Sequence, residues 1–321
     1  MKTLVIAYNG DDWKADIPLR NSPETRASFE DFYAFAKSKG ILVYRASIQW
    51  YNASGGYFDK AWSFSDGKWI RIEKQIRPDT VFDKISGAHD YALFEMKCEM
   101  ITRFPVVNSP IFRTQFDNKF SQYLAFQEFM PTSYLAENEN QFHKTLGVIE
   151  TEKVVLKEIY GSGGKQVVIG EKMGIRKEPL LFPVLVQEFI PTAGIPEFSN
   201  PGDVADLRLV YVDDELIYAL SRIAKKGSLF TNFHQGADAV LVPIDKIPNS
   251  CLEMAERIRK KLRLFPGTNY SLDFMFSTDY LPLFIEMNTT PGFDLLRLVG
   301  TPDIKEHYYQ KLLSSFFTNT L

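Results

Sequence analysis

Asn269-Tyr-Ser-Leu-Asp-Phe-Met-Phe276 and Phe284-Ile-Glu-Met-Asn-Thr-Thr-Pro-Gly-Phe293 set three oxygen-bearing side chains, Asp273, Glu286 and Asn288, among apolar neighbours. Side chains alternate along a strand, so Tyr270, Leu272, Phe274 and Phe276 share one face of the first stretch and Asp273 takes the other. In the second, Glu286 and Asn288 point one way, while Leu283, Ile285 and Met287 point into a core. With Asp279 and Tyr280 as the central residues of a two-residue hairpin, antiparallel pairing sets Asp273 across from Glu286, with Asn288 one step along. Two carboxylates so close repel, and a hard divalent cation removes the conflict. Oxygen donors with no His or Cys nearby suit Mg²⁺ better than Zn²⁺. The plain alternative is a hairpin that turns both acids to solvent. Against it stands Thr289-Thr-Pro-Gly-Phe293, an abrupt stop whose Gly292 permits close approach to a ligand.

A chain of 321 residues is long for one core and predicts two or three lobes sharing a cleft. Apolar content of 45% and charged content of 24% are those of a soluble globular protein. The net charge is -3 and no dense Lys/Arg block occurs, so a nucleic-acid partner has no electrostatic support. Cys98 and Cys251 are too far apart for a disulfide framework or a metal-ligand pair. Cys251 instead joins Met254, Ala255, Ile258 and Leu262 on the apolar face of a predicted helix. Met1 leads straight into the strand-like Leu4-Val-Ile-Ala7, without a signal segment, and no apolar run reaches membrane-spanning length. The expectation is a cytoplasmic protein without a membrane partner.

Strand and helix alternate through the first hundred residues. Leu4 to Ala7 is a strand, and a helix starting at Ser22-Pro23 carries Phe29, Phe32, Tyr33 and Ala36 and stops at Gly40. Ile41 to Tyr44, Trp69 to Ile72 and Thr80 to Lys84 read as further strands of an open α/β layer. Phe104-Pro-Val-Val-Asn-Ser-Pro110 marks a boundary. Asp117 or Asn118 then caps a helix carrying Phe120, Leu124 and Phe126, with Lys119 in its first turn, where a bound anion or plain solvent accounts equally for a cation.

Lys153 to Lys157 alternates, placing Lys157 on the face away from Val154 and Leu156. It leads into Gly161-Ser-Gly-Gly-Lys165, whose glycines let backbone N–H groups wrap phosphate oxygens, although a flexible hairpin fits equally well. The spacing is neither a Walker loop nor a dinucleotide fingerprint. Val167 to Ile169 completes a strand–loop–strand flap. Leu185-Val-Gln-Glu-Phe-Ile-Pro191 is an apolar segment whose backbone suits an adenine edge, or else a core strand. Arg208 and Arg222 fall on neighbouring strands, and inward-facing arginines need anions or carboxylate partners. His234, with no metal-type neighbours, reads as structural. Helices from Leu252 to Leu262 and from Ile304 to Phe317 complete the chain.

In this order, an anchoring lysine, a strand lysine with a Gly-rich flap, a Gln-Glu-Phe-Ile hinge, two arginines and an Asp…Glu-x-Asn hairpin resemble the ATP-grasp superfamily. The resemblance is nearest to its glutamate-ligase (RimK type) and glutathione-synthetase-like branch. It is carried by Val186-Gln-Glu-Phe-Ile190, Asp206-Leu-Arg208, Thr231-Asn-Phe-His-Gln-Gly236 and Glu286-Met-Asn-Thr-Thr-Pro-Gly292, and it covers Phe104 to Leu298. It implies an α/β (α+β) fold of three lobes. These are an N-terminal open α/β lobe (1–103), a central lobe with the Gly-rich flap (104–190) and a C-terminal lobe with the metal site (191–321).

The resemblance further implies that Lys119 and Lys157 hold ATP phosphates and that Gly161, Ser162, Gly163, Gly164 and Lys165 close over them as a mobile flap. Gln187, Glu188, Phe189 and Ile190 would line adenine, with Asn232 also placed at the nucleotide. Asp273, Glu286 and Asn288 would hold two Mg²⁺ ions, with Mn²⁺ as an admissible substitute. Arg222, with Lys157 and Arg208, would serve the reaction, Arg222 facing the γ-phosphate. Two departures follow. Only Glu197, displaced by an insertion, is available for the ribose hydroxyls, and Phe293-Asp294 does not reproduce the hydroxyl-bearing acceptor pocket of D-alanine:D-alanine ligases.

The implied reaction joins a small-molecule or peptide carboxylate to an amine through an acyl phosphate, with ATP going to ADP and phosphate. The rivals are a kinase on the same fold and a non-catalytic nucleotide-binding module. Oligomeric state is left open.

Overall fold

The structure is a computed structural model that describes residues 1–85, 90–161, 167–176, 179–200, 202–231 and 236–318. Its N-terminal part runs β1 (Lys2–Tyr8), α1 (Pro23–Ser38), β2 (Ile41–Ser47), the short pair β3 (Tyr51–Asn52) and β4 (Tyr57–Phe58), β5 (Ala61–Ser65), β6 (Lys68–Ile72), β7 (Thr80–Asp83), α2 (Tyr91–Ile101) and β8 (Val106–Val107). The sheet order β6-β5-β2-β1-β7-β8 has parallel pairing from β2 to β8 and an antiparallel β5/β6 edge. Helix α1 lays Phe29, Phe32, Tyr33 and Ala36 on this sheet, as their spacing predicts. Among the described residues no helix is long and apolar enough to cross a membrane.

Helices α3 (Pro110–Phe116) and α4 (Lys119–Phe126) follow, then β9 (Ser133–Ala136), α5 (Glu139–Val148), β10 (Lys153–Glu158), β11 (Val167–Glu171), α6 (Lys172–Ile175) and β12 (Val184–Glu188). The order β11-β10-β12-β9 is antiparallel throughout. One face of this sheet has its own core of Phe142, Leu146, Val154, Leu156 and Val186. The opposite face, carrying Val155, Lys157 and Gln187, lines a cleft.

The third sheet contains β13 (Thr192–Ala193), β14 (Ala205–Val212), β15 (Glu215–Ile223), β16 (Asp238–Val242), β17 (Asn269–Ser277) and β18 (Pro282–Asn288). It is accompanied by α7 (Asn249–Leu262), α8 (Asp294–Val299) and α9 (Pro302–Thr318). Phe112, Phe116 and Phe126 of α3 and α4 pack on one face of it, together with α7. Its other face changes character along β14. Val210 and Val212 lie in the core shared with α9 and the N-terminal sheet, whereas Asp206 and Arg208, on the same face, sit where the sheet meets the cleft.

The hairpin β17/β18 departs from its sequence reading in an instructive way. Asp273 does pair with Glu286, but the turn is three residues long, with Ser277 accepting from Tyr280 and Tyr280 at φ 58. That extra residue is offset by a bulge beyond Asp273, where Phe274 pairs with Phe284 and Ile285 is left over. The bulge corrects the expected faces of β18. Phe284 and Met287 enter the core, while Leu283 and Ile285 turn with Glu286 to the cleft.

Asn108, in the connection that contains two prolines, clamps the site end of this hairpin. Its φ of 60 is a left-handed conformation that asparagine tolerates. Its side chain donates to the carbonyls of Asn269 (3.1 Å) and Thr289 (2.6 Å) and accepts from the Asn269 N–H (2.7 Å), all fully buried. Asn108→Ala would strand those peptide groups. The expected loss in urea unfolding is about 3 kcal/mol, and a loss below about 0.5 kcal/mol would contradict the clamp.

Candidate functional site

A cleft of about 300 Å³ opens between the second and third sheets. Its walls come from β10 and β12 on one side and from β14, β15, β17 and β18 on the other, with Lys119 at the start of α4. Gln187, Glu188, Phe189 and Ile190 line it together with Lys119, Lys157, Gly161, Arg222, Asp273 and Glu286.

At its floor is a buried ionic cluster. Arg208 grips Asp273 with two parallel hydrogen bonds, Nε to Oδ1 at 2.8 Å and Nη2 to Oδ2 at 2.6 Å. Arg222 grips Asp206 in the same manner at 2.7 and 2.6 Å and also donates from Nη2 to Asp273 Oδ2 at 2.7 Å. The Thr231 hydroxyl adds a bond to Asp206. Burial pushes the Asp273 carboxyl up, but Arg208 and Arg222 outweigh it and hold the group below its ordinary range. The repulsion read into the Asp273–Glu286 pair is thus met here by guanidinium groups.

Glu286 and Asn288 are differently placed. Glu286 keeps a fifth of its side chain exposed, and its ion-pair partner is Lys119, with Nζ 3.9 Å from Oε2. Asn288 donates from Nδ2 to Asp273 Oδ2 at 3.3 Å, which leaves its amide oxygen without a hydrogen-bond donor among the described residues. An exposed carboxylate oxygen beside an amide oxygen fits a hard divalent cation. Asp273 Oδ2 already accepts from Arg208, Arg222 and Asn288, whereas Oδ1 accepts from Arg208 alone among the described residues and keeps a lone pair with which to join them. No group of three or more His, Cys, Asp or Glu side chains is placed to hold a metal ion among the described residues, and the set here comprises two acids and one amide.

Lys157 points into the cleft as its strand parity requires, and burial pushes its amine down to about 8, with Lys119 adding to the effect and Glu286 and Asp273 opposing it. The main-chain N–H of Lys119 donates to the Ile159 carbonyl at 2.9 Å, and its ammonium group donates to the Gly161 carbonyl. The capping residue is Asn118, whose side chain accepts from the N–H groups of Phe120 and Ser121. Leu124 faces solvent rather than the core.

Glu197 does not reach the cleft. Ile195 is buried and Phe198 packs against the same core, which forces the intervening turn outward. Glu197 sits there at φ 66 and pairs with Lys246. Thr192, next to Pro191, lines the cleft in its place. Ser162, Gly163, Gly164, Lys165 and Asn232, with His234, lie outside the described residues.

The family model of the RimK-like ATP-grasp domain matches residues 117–308, more than half of the chain. The chain belongs to this family. A relative from Hahella chejuensis, named a probable alpha-L-glutamate ligase 1, is 25% identical over 186 residues, 54% of this chain and 54% of its own. One from Xanthomonas oryzae pv. oryzae, named a probable alpha-L-glutamate ligase, is 27% identical over 218 residues, covering 67% and 70%. The match therefore spans about half the length of the first relative. Among solved structures, D-alanyl-alanine synthetase A from Vibrio cholerae superposes with a TM-score of 0.68 at 12% identity, covering 98% of this chain and 97% of that one, which establishes the ATP-grasp fold from end to end.

Asp206 and Thr231 enter the sequence motifs without a role of their own, and Gln122 carries no motif, yet all three hold the site in place. Asp206 stands two residues before Arg208 on an alternating strand and was legible as its same-face neighbour. Gln122 was marked by sharing a helix face with Lys119 and Phe126, where a buried amide must find partners.

The Lys157 shift gives a stability test in protein free of nucleotide and metal. Between pH 8 and 10.5 the unfolded chain keeps a proton that the folded chain has lost, so this contribution makes stability rise with pH across that window. Lys157→Met is expected to exceed the wild type in urea unfolding at pH 7 by up to about 3 kcal/mol, a gap that closes near pH 10. An equal gap at both pH values would contradict the buried-lysine assignment.

Proposed function

We propose that this chain is an ATP-dependent carboxylate–amine ligase that forms an amide bond through an acyl phosphate. The observation that carries the reading is that a hinge suited to adenine, two lysines, an arginine, Asp273 and Glu286 line one cleft, with Asn288 hydrogen-bonded to Asp273 at its edge. The names of the glutamate-ligase relatives support the same reaction class.

In this reading, backbone groups of Gln187 to Ile190 take the adenine edge. Lys119 and Lys157 bind the phosphates, with the loop from Gly161 to Lys165 assigned to them on its composition. A carboxylate is a poor electrophile, and its attack on the γ-phosphate brings two anions together, so charge neutralisation and positioning dominate. Arg222 lines the cleft and has its Nε and Nη2 engaged with Asp206 and Asp273, so its orientation is fixed, and Nη1, without a partner among the described residues, would meet a phosphoryl oxygen. Magnesium carried with the nucleotide would be held by Glu286 and Asn288, with Asp273 as a third ligand, and would neutralise charge on the β- and γ-phosphates. Displacement of phosphate from the acyl phosphate by an amine completes the reaction. Cytoplasmic residence belongs to the same proposal, supported by two free cysteines.

Glu286→Ala removes a metal ligand without disturbing the buried cluster of Asp206, Arg208, Arg222 and Asp273. ATP consumption at ordinary Mg²⁺ is expected to fall by at least about a hundredfold, measured as ADP release with a pool of amino acids and peptides. Near-normal consumption would overturn the site assignment.

A further inference from the structure

We infer that Gln122 is a positioning residue for this site, one that sets the spacing between Lys119 and the Glu286–Asn288 pair. The inference rests on the reading of that pair as a metal site. Among the described residues strand β18 pairs only with β17, so one edge of it has no neighbouring strand there. An edge strand presents N–H and C=O groups that still require partners when buried. At Met287, between Glu286 and Asn288, a single side chain supplies them. Gln122 Oε1 accepts from the Met287 N–H at 2.8 Å, and Gln122 Nε2 donates to the Met287 carbonyl at 2.9 Å and to the Phe116 carbonyl at 2.6 Å. The carboxamide thus takes the place that a peptide group of a further strand would occupy, and Gln122 is only 2% exposed.

What makes this more than a satisfied core amide is where the clamp acts. Gln122 lies one helical turn after Lys119 on the same face of α4, and Lys119 reaches Glu286 across the cleft. The first turn of α4 is fastened at other points as well. The Thr289 hydroxyl donates to Asp117, Asn118 donates to the Tyr160 hydroxyl at 3.0 Å, and the Lys119 N–H bonds to the Ile159 carbonyl. The helix start therefore ties the metal-binding strand β18 to the end of β10, which carries Lys157. Gln122 is the one of these ties that fixes the backbone between the two proposed ligands. A small rotation there would swing Glu286 and Asn288 together, although Gln122 touches neither ligand nor nucleotide.

The test uses the full chain with ADP and Mn²⁺ as the probe, counting free Mn²⁺ by electron paramagnetic resonance. Gln122→Met removes both halves of the clamp at similar volume, and Gln122→Glu keeps the acceptor for the Met287 N–H. The expected result is Mn²⁺–ADP affinity weakened about tenfold in Gln122→Met and less in Gln122→Glu. Hydrogen exchange in the peptide covering residues 284–288 should be faster in both. Folded Gln122→Met with unchanged affinity overturns the inference. If that variant fails to fold, Gln122→Glu decides, and wild-type affinity in it is the overturning result. Absence of Mn²⁺ binding in the wild type with ADP present overturns the metal-site reading itself, and this inference with it.

Discussion

A carboxylate as deeply buried as Asp273 persists as an anion only where its charge is met, and here two arginines from adjacent strands meet it. That constraint organises the third sheet. Asp206 must accompany Arg222, Arg208 must stand opposite Asp273 on β14, and all four must share the face that leaves the apolar core and enters the cleft. Breaking one member leaves an uncompensated charge, so the set acts as a unit. It also places the site at the boundary where the same β14 face passes from Val210 and Val212 to Arg208 and Asp206.

Above this floor lie cleft-lining groups whose bonding capacity is not used up. Glu286 is partly exposed, Asn288 keeps an amide oxygen with no donor among the described residues, and the buried Lys157 and Lys119 supply positive charge that, in the proposed function, a polyphosphate would satisfy. The division is physical. The four charged groups of the floor are paired and largely buried, Arg222 and Asp273 keeping one side toward the cleft, while Glu286, Asn288 and the two lysines lack full partners among the described residues. The edge of β18 is held at Met287 by the side-chain amide of Gln122, and Asn108 holds the Thr289 carbonyl just beyond the strand, where a sheet would use a further strand.

Much of the fold was legible because apolar periodicity is a local property. Helix α1, the strands around Lys157 and Arg208, and the closing helices α7 and α9 follow from spacing alone. The Asp273–Glu286 pairing was reached through two differences that cancel, a turn one residue longer than expected and a bulge that absorbs it. A bulge has no local signature in Leu283-Phe-Ile-Glu286, so the facing of Leu283 and Ile285 could not be read. Glu197 went astray for a related reason, because burial of Ile195 and Phe198 decides where that turn points. Helix α2 went unread although Asp90 caps it and Met96 and Met100 follow at helical spacing. The partners of Gln122 and Asn108 are tertiary, and sequence marks such residues only as polar groups in apolar company.

The chemistry proposed for the cleft joins an acid to an amine at the expense of ATP. The direct measurement is incubation of the protein with ATP, Mg²⁺ and pooled amino acids and peptides, with ADP release and product mass read in the same sample. A product whose mass is that of an acid plus an amine less one water, formed in step with ADP, is the predicted result. A stable phosphorylated product without an amide, or ADP released with no condensed product from any pool, would contradict it.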